Sequence, residues 1–412
     1  MTRRRVGITG LGIVGPHGND VEATFSALLR GKSAVRSIEI SSEVGSLEFV
    51  GAVTPPESWQ ETSNLPLATS DKVSLYALAA ADASIRDAKL QMQEEDLSKV
   101  GVAVGTSLGG AISQEAAYYE IVGRKKSRLS PFTLVKVMYN GPAAQVALRY
   151  RLGGPSLTYS TTCSSSSVSV GEAMRVIRHG YADVMLAGGA EALFAYVSLR
   201  AWQALHVLAP PHVENVAATC RPFNKDRNGT VLGDGAAFVV LESFDHALKR
   251  GAKIYAELAG YGVCNDANHM TQPSVEGQVR AMGLAIADAE MSADDIDYVN
   301  AHGTGTPLND VTETRAIRTV FGRHASKIAV SSTKSMHGHL VGAAGALELA
   351  ISTMAVAHES VPPTAHLDEP DAECDLDYVP NIGRRMQVRA AMSNSFAVGG
   401  TAGVLVVRRV NQ

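Results

Sequence analysis

Short apolar segments alternate with longer helix-like segments along most of the chain. The short segments are rich in valine, isoleucine and alanine, and their length and composition indicate strands. They lie at residues 3–11, 100–107, 156–161, 183–192, 235–243, 252–263, 296–303, 327–333, 390–400 and 402–410. The helical patterns lie at residues 20–31, about 70–88, 164–179, 274–290, 310–321 and 341–357. This alternation predicts an α/β fold with parallel or mixed sheets.

The two halves of the chain share this rhythm. Each half contains strand–helix units and a glycine-closed segment that carries candidate site residues. We therefore predict an internal duplication of two similar α/β halves that divides near residue 250, as domains 1–250 and 251–412.

A glycine motif after the first strand, at residues 10–15, matches the G-x-G-x-x-G pattern. A dinucleotide-binding turn requires the helix to begin inside this motif, so that its N-terminus faces the pyrophosphate. Here Pro16 follows directly, and the helix cannot begin before about Asp20. A tight strand-to-helix turn therefore explains these glycines better than a nucleotide site does.

Composition excludes several classes of protein. The 412 residues are 45% hydrophobic and 19% charged, with a net charge of −4, which is ordinary for a folded globular chain. No basic face indicates nucleic-acid binding. We see no apolar run of about 18 residues and expect no membrane span. The arginine-rich start lacks the long apolar run and cleavage site of a signal peptide, so we expect a cytoplasmic protein.

Cys163 is the candidate nucleophile. The four cysteines are scattered without C-x-x-C spacing, so we predict reduced thiols and neither a disulfide framework nor a zinc site. Cys163 stands between a strand and a helical pattern, where free backbone amides would lower the pKa of its thiol. The serines that follow it have no comparable route to ionisation and fit a tightly packed helix start. The alternative is that Cys163 is a small buried apolar residue, the commoner fate of a free cysteine.

Two histidines and a lysine also lie near the ends of predicted strands. His302 belongs to NAHGTGTP, in which Thr304 and Thr306 offer hydroxyls to a polar ligand. Lys334 and His339 belong to KSMHGHLVGAAG, which leads into a helix. A helix start favours neutral imidazole, which can donate one hydrogen bond. His337 and His339 lack a nearby cysteine or carboxylate cluster, so we predict no metal site.

Five ordered motifs resemble those of the β-ketoacyl-acyl-carrier-protein synthases, closest to the ketoacyl synthase II type. They are TTCSSSSVSVGEA, RPFNKDRNGTVLGDGAAFVVLE, NAHGTGTPLND, STKSMHGHLVGAAGALE and NSFAVGGTAGVLV. The resemblance runs over nearly the whole chain. It implies a thiolase-like fold, in which two pseudo-duplicated halves form a five-layer αβαβα sandwich, usually as a homodimer.

The resemblance also implies roles for individual residues. Cys163 matches the acyl-accepting nucleophile, and His302 and His339 match the two histidines that assist malonyl decarboxylation. Lys334 matches the lysine that structures the site, with Glu313 as its expected ion-pair partner and Asp310 nearby. The remaining implied roles are an oxyanion hole from the amides of Cys163 and Val398, a gating aromatic at Phe396, pantetheine contacts from Thr304 and Thr306, and substrate contact by Leu108. The local positive charge of Arg124, Lys125 and Lys126 predicts docking of an acidic carrier protein, and the alternative is a solvated surface loop.

The implied reaction is the decarboxylative condensation of an acyl thioester with malonyl carrier protein, in fatty-acid or specialised polyketide or polyene elongation. It implies no metal or redox cofactor, because the substrates travel on the phosphopantetheine arm of acyl carrier protein. The partner subunit is a second copy or a chain-length-factor-like protein. The alternative is that this chain is itself the chain-length-factor-like partner, although such subunits lack the nucleophile.

The chain departs from the family pattern in its gating loop. Ala397 and Val398 stand where the family usually has glycine and phenylalanine, so we expect a smaller and stiffer gate. Thiolase-type transfer on coenzyme A would need a second cysteine near this loop, but the last cysteine, Cys374, lies outside it.

Overall fold

The structure is a computed structural model that describes residues 3–43, 45–62 and 64–410. The strands are β1 Val6–Val14, β2 Arg36–Ser42, β3 Gly45–Ala52, β4 Val100–Gly105, β5 Ser156–Tyr159, β6 Val184–Glu191, β7 Leu232–Gly233, β8 Gly235–Ser243, β9 Ala256–Asn265, β10 Tyr298–Asn300, β11 Ala329–Ser331, β12 Ser360–Val361, β13 Arg384–Arg385, β14 Ala390–Phe396 and β15 Thr401–Arg408.

Helices follow most of these strands. They are α1 Val21–Leu29, α2 Glu57–Gln60, α3 Lys72–Asp87, α4 Ala111–Tyr118, α5 Thr133–Val137, α6 Gly141–Tyr150, α7 Ser165–Arg178, α8 Tyr196–Ala204, α9 Phe244–Lys249, α10 Val275–Asp288, α11 Pro307–Phe321, α12 Lys334–His337 and α13 Ala344–His358. Every strand and helix predicted from the apolar pattern is present, with bounds that differ by a few residues in several cases.

The main sheet has the same strand order in each half of the chain. From the middle outwards, the first half runs β1-β8-β6-β4-β5 and the second runs β9-β15-β14-β10-β11. The halves join where β1 pairs antiparallel with β9, with Gly7 opposite Glu257. In both halves the strand at the fourth position is parallel to both of its neighbours. This repetition is the structural form of an internal duplication.

Five layers result from the way the helices cover the two halves of the sheet. Helices α3 and α6 cover the outer face of the first half, and α10, with α11 packed against it, covers that of the second. Helices α7 and α13 pack against each other between the halves. Helix α13 is buried along almost its whole length because it has protein on every side. The predicted αβαβα sandwich is therefore confirmed.

Paired glycines let a helix approach the innermost strand of each half. A Cβ at Gly10 or Gly12 of β1 would lie 2.3 or 2.1 Å from a carbonyl oxygen of α3. A Cβ at Gly260 or Gly262 of β9 would lie 2.2 or 2.1 Å from a carbonyl oxygen of α10. The glycine motif that resembled a nucleotide fingerprint thus serves helix–strand packing.

The serine run after Cys163 packs where α7 meets α13. Ser166 Oγ accepts a hydrogen bond from the amide of Ala346 at 2.9 Å, and Ser167 Oγ lies 2.8 Å from Ser395 Oγ. A Cβ at Gly345 would lie only 2.0 Å from Ser167 Oγ. Small hydroxyl side chains are needed here because the two central helices touch.

The described residues include one segment, 341–358, that is long and apolar enough to cross a membrane by length and composition. The sequence predicts no apolar run of this length, and this segment is the exception. It consists of α13 and the turn before it, and 89% of it is buried inside the protein.

Candidate active site

Cys163 lies in a single 3₁₀ turn, Thr162–Ser164, directly before α7. Its side chain is 4% exposed and belongs to an apolar cluster with Phe194 and Val341. The residue before it, Thr162, has a φ of +49°, which is unusual for a β-branched side chain. Its hydroxyl donates a 2.6 Å hydrogen bond to the carbonyl of Val398, which ties the turn to the loop after β14. Strained backbone of this kind is typical of functional sites.

The thiol of Cys163 has a raised pKa, contrary to the sequence prediction. Burial raises its pKa to about 11, and the nearby carboxylate of Glu191 acts in the same direction. Backbone amides of Val398 and of Cys163 itself, together with the Lys334 cation, oppose this shift but do not overcome it. The prediction of a lowered pKa was wrong because loss of hydration outweighs the helix terminus. The two amides are nevertheless aimed at the sulfur.

His302 and His339 lie beside this thiol. His302 follows the end of β10, and His339 follows α12 in the segment that leads to α13. The sulfur and one nitrogen from each ring lie within 4.8 Å of one another. The imidazole rings are 5.4 Å apart and nearly perpendicular, so they converge on one point from two directions.

Both imidazoles are neutral. Burial holds the pKa of each well below its usual range, and the Lys334 cation lowers both further. The amide of Val341 donates to Nδ1 of His339 at 3.3 Å, which leaves the proton of that ring on Nε2. This Nε2 is buried and has no hydrogen-bond partner in the described part of the chain. The ring thus presents an N–H donor that awaits a ligand.

Lys334 pairs with Glu348, and the prediction that Glu313 is its partner was wrong. The ammonium of Lys334 contacts the carboxylate of Glu348 on α13, and both side chains are fully buried. Glu313 instead accepts the backbone amides of His302 and Gly303, each at 2.8 Å. Sequence spacing could not separate the two, because both are buried glutamates on helices near the lysine in the chain.

Glu313 and Asp310 hold the loop that carries His302. Asp310 accepts the amides of Gly305 and Phe223 at 3.2 and 2.9 Å, and its Oδ2 lies 3.4 Å from Arg227. Both carboxylates are fully buried, and both have raised pKa values because of burial. They therefore act by fixing backbone rather than by reaching the thiol.

A cavity of about 340 Å³ leads from the surface to Cys163. The thiol, both histidines and Phe396 line its inner part. The threonine hydroxyls of Thr304 and Thr306, 2.9 Å apart, lie in its wall. Exposed residues of the segment 269–272 form its rim. A ligand with a long, narrow arm could reach the sulfur through this opening.

The loop after β14 forms another part of the wall. Phe396, Ala397 and Val398 line the cavity, and Val398 is 37% exposed. The φ values of Gly399 and Gly400 are +94° and +81°, a region that glycine adopts easily. Thr162 holds the carbonyl of Val398, and Asn265 donates to that of Gly399 at 2.8 Å. The first hydrogen bond holds the loop against the 3₁₀ turn that carries Cys163, and the second holds it against β9.

A second cavity, of about 550 Å³, lies on the other side of Leu108. Leu108 lines this cavity and also packs against the apolar cluster that contains Cys163. Tyr118, Val122 and Tyr139 line the outer part and are exposed. Leu108 thus separates the surroundings of the thiol from an apolar space.

The buried Glu191 carboxylate joins this region to the histidine segment. It accepts the amides of Ser107 and Gly342 at 2.7 and 3.0 Å and that of Leu108 at 3.1 Å. Burial raises its pKa to about 7. Sequence reasoning missed Glu191, Glu348 and Thr162. Each had a signal in the sequence. Glu191 lies at the end of a predicted strand, Glu348 is a charged residue inside an apolar helix, and Thr162 directly precedes the nucleophile.

Ion pairs weaken the predicted basic docking patch. Arg124 lies 2.6 Å from Glu43 and 2.8 Å from Glu120, and Lys126 also contacts Glu120. Lys125 is exposed. Nearby carboxylates offset much of the positive charge, so carrier docking at these residues stays a prediction.

The thiol and the two imidazoles are also residue types that bind zinc. They are the one group with suitable spacing among the described residues, and no carboxylate belongs to the group. The raised pKa of the thiol disfavours the thiolate that a metal requires. The expectation that no metal takes part stays a prediction.

Comparisons with known proteins agree with this geometry. The family model for the beta-ketoacyl synthase N-terminal domain matches residues 3–247, and that for the C-terminal domain matches residues 255–368. Nodulation protein E of Rhizobium meliloti (strain 1021) is 43% identical over 408 residues, which cover 99% of this chain and all of that protein. The 3-oxoacyl-[acyl-carrier-protein] synthase 2 of Coxiella burnetii is 41% identical over 422 residues and covers both chains fully.

Solved structures show the same fold. A type II polyketide acyl-carrier protein in complex with its ketosynthase bound to the hexaketide, AntDE:AntF, includes a chain with a TM-score of 0.90 and 33% identity over 100% of both chains. Family models covering most of the sequence, relatives above 40% identity along the full length and a shared fold lead to one conclusion: this chain belongs to the beta-ketoacyl synthase family.

Proposed function

We propose that this chain catalyses the decarboxylative condensation of an acyl thioester with malonyl-acyl-carrier protein to give a β-ketoacyl carrier protein. The observation that carries the proposal is the meeting of one thiol and two neutral imidazoles within 4.8 Å. They lie at the inner end of a cavity that is open to the surface. Membership in the beta-ketoacyl synthase family supports the same reaction.

The first step transfers the acyl chain to Cys163. The sulfur attacks the thioester carbonyl, a new C–S bond forms, and the bond to the carrier thiol breaks. The proton of Cys163 passes to the leaving thiol, so no net charge is left in the buried site. Backbone amides of Cys163 and Val398, which already face the sulfur, can hold the oxyanion. One such donor contributes roughly 3–4 kcal/mol in comparable sites.

The second step forms the carbon–carbon bond. The malonyl group loses CO₂, and the electron pair of the broken bond forms an enolate. N–H groups of neutral His302 and His339 can stabilise its oxygen without protonating its carbon, because imidazole is a far weaker acid than imidazolium. The carbon attacks the acyl-cysteine, and Cys163 leaves as thiolate, which takes a proton from water to restore the thiol of the first step. Both steps move electron pairs without net oxidation or reduction, so the proposed chemistry needs no redox cofactor.

The chain-length-factor-like alternative has less support. Such a subunit would not need a nucleophile. Here Cys163 lies beside His302 and His339, and the Lys334 cation lowers the pKa of all three groups. We propose acyl carrier protein as the substrate carrier, because a thioester on a long, narrow arm can reach Cys163 through the cavity. The similar ketosynthase in complex with its carrier protein supports this partner.

We also propose that a second copy of the chain covers an exposed apolar surface. Strand β5 is an edge of the main sheet and exposes Leu157. Tyr118 at the end of α4 and Leu134 in α5 are exposed as well, as are Val122 and Tyr139 in the segments that follow these two helices. An unpaired edge beside apolar side chains is typical of an interface.

The first prediction concerns the nucleophile. Cys163→Ala removes the attacking sulfur, so condensation should fall by more than about a thousandfold. Incubation with octanoyl-carrier protein should add one octanoyl group to the unmodified protein at Cys163, seen by peptide mass spectrometry. Cys374→Ala is the control, because Cys374 is buried outside the cavity and should leave acylation intact. Acylation of Cys163→Ala to the same extent would rule out the assignment.

The second prediction concerns chain length. Leu108→Phe should enlarge the side chain that separates the thiol from the 550 Å³ cavity and so keep long acyl chains out of that space. We expect acyl transfer from dodecanoyl carrier protein to slow about tenfold or more relative to butanoyl carrier protein, the size of an overpacking penalty. The exposed Leu67→Phe variant is the control. Equal rates for both primers in Leu108→Phe would show that long chains lie elsewhere.

The third prediction concerns assembly. At micromolar concentration the purified chain should sediment as a particle of twice its 43.4 kDa mass. A stable monomer under these conditions would contradict a second copy as the occupant of this surface.

A further inference from the structure

Gln278 is a buried polar side chain in the wall of the cavity that leads to Cys163. It lies near the start of α10, is 3% exposed and lines the cavity together with Phe396 and Ala402. Neither the oxygen nor the nitrogen of its carboxamide has a hydrogen-bond partner within the described residues. Its backbone amide is already bonded to Ser274, so the helix itself does not need this side chain.

An unpaired carboxamide at such a position calls for an explanation. Burying an amide without partners is costly, and an apolar side chain of equal length would avoid the cost. Buried polar groups in folded proteins are almost always hydrogen-bonded, and each exception needs an explanation, such as a catalytic role or a bound water or ion. The cavity wall thus carries a donor and an acceptor that the protein leaves free.

A second wall residue has the same property. Thr230 is 4% exposed, lines the cavity, and its hydroxyl has no partner among the described residues. Its neighbour Val231 accepts the amide of His339 at 2.7 Å, which places Thr230 near the inner end. Two separate unpaired groups indicate an occupant that carries several hydrogen-bonding groups.

The chemistry of the occupant follows from the cavity. A thioester that reaches Cys163 from the surface must lay its carrier arm along this wall. A phosphopantetheine arm contains two secondary amides, each with one N–H donor and one C=O acceptor. A carboxamide offers the complementary groups, two N–H donors and an oxygen acceptor. The apolar neighbours of Gln278 would strengthen such a bond by excluding water.

We infer that Gln278 is a binding residue that hydrogen-bonds an amide of the substrate's thioester arm. This inference rests on the proposed function, because it takes the arm of an acyl thioester as the occupant. Gln278 binds the arm in both steps, whereas the bond-making groups stay Cys163, His302 and His339.

The test varies the number of amides in the arm. Octanoyl thioesters of pantetheine, N-acetylcysteamine and butanethiol carry two, one and no amides, and they deliver the same acyl group. The rate of acyl-Cys163 formation is measured by rapid quenching and intact-protein mass spectrometry for the unmodified protein and for Gln278→Met. Methionine keeps the length of the side chain and removes both hydrogen-bonding groups.

We expect Gln278→Met to lower the second-order rate constant of Cys163 acylation about tenfold for the pantetheine thioester and to leave that of the butanethiol thioester unchanged within about twofold. Tenfold corresponds to the loss of one ordinary hydrogen bond. The N-acetylcysteamine thioester locates the contact: a loss with this substrate assigns it to the amide nearer the sulfur, and no loss assigns it to the farther one.

The controls separate binding from folding. Gln145→Met makes the same change on α6, away from the cavity, and should alter none of the three rates. Urea midpoints report whether each variant is folded. Equal losses with all three thioesters, or no loss with any, would overturn the inference. If the unmodified protein accepts no octanoyl group from any thioester, the proposed function itself fails.

Discussion

The buried ion pair between Lys334 and Glu348 is the interaction on which the rest of the site depends. A charge enclosed by protein is expensive unless a partner lies against it, and here both side chains are fully buried in contact. Glu348 lies on α13, the central helix, so the lysine cannot move without disturbing the middle of the fold. The cation lowers the pKa of His302 and His339 and partly offsets the effect of burial on Cys163. The Lys334 cation thus favours the neutral form of both imidazoles and limits the rise in the pKa of the Cys163 thiol.

The duplicated topology brings these groups together. In the first half, the chain leaves β5, passes Cys163 and enters α7; in the second, it leaves β11, passes Lys334 and His339, and enters α13. Because α7 and α13 touch between the sheets, equivalent segments from the two halves meet. Each segment also contains a β-branched residue with positive φ, Thr162 and Val341. Strain at matching places suggests that both helix starts are shaped for the site rather than for stability.

The sequence predicted much of this, for physical reasons that can be stated. Strand and helix periodicity located every predicted element, and the duplication followed from their order. The small sheet of β2, β3 and β7 and the helices between residues 111 and 150 were missed, because their patterns are short or irregular. The pKa of Cys163 was predicted in the wrong direction, since a helix start is visible in sequence and the depth of burial is not. Glu313 was chosen over Glu348 because position along the chain does not show which carboxylate faces the lysine.

The central claim is that both active-site imidazoles are neutral donors, because burial and the Lys334 cation lower their pKa values. Heteronuclear NMR of protein labelled at histidine, with His302→Asn and His339→Asn variants for assignment, measures this directly. Over the range from pH 8 to pH 5.5, the account predicts that the ring nitrogen shifts of His302 and His339 stay at neutral-imidazole values. A titration of either ring with a midpoint between pH 6 and pH 7 would contradict it.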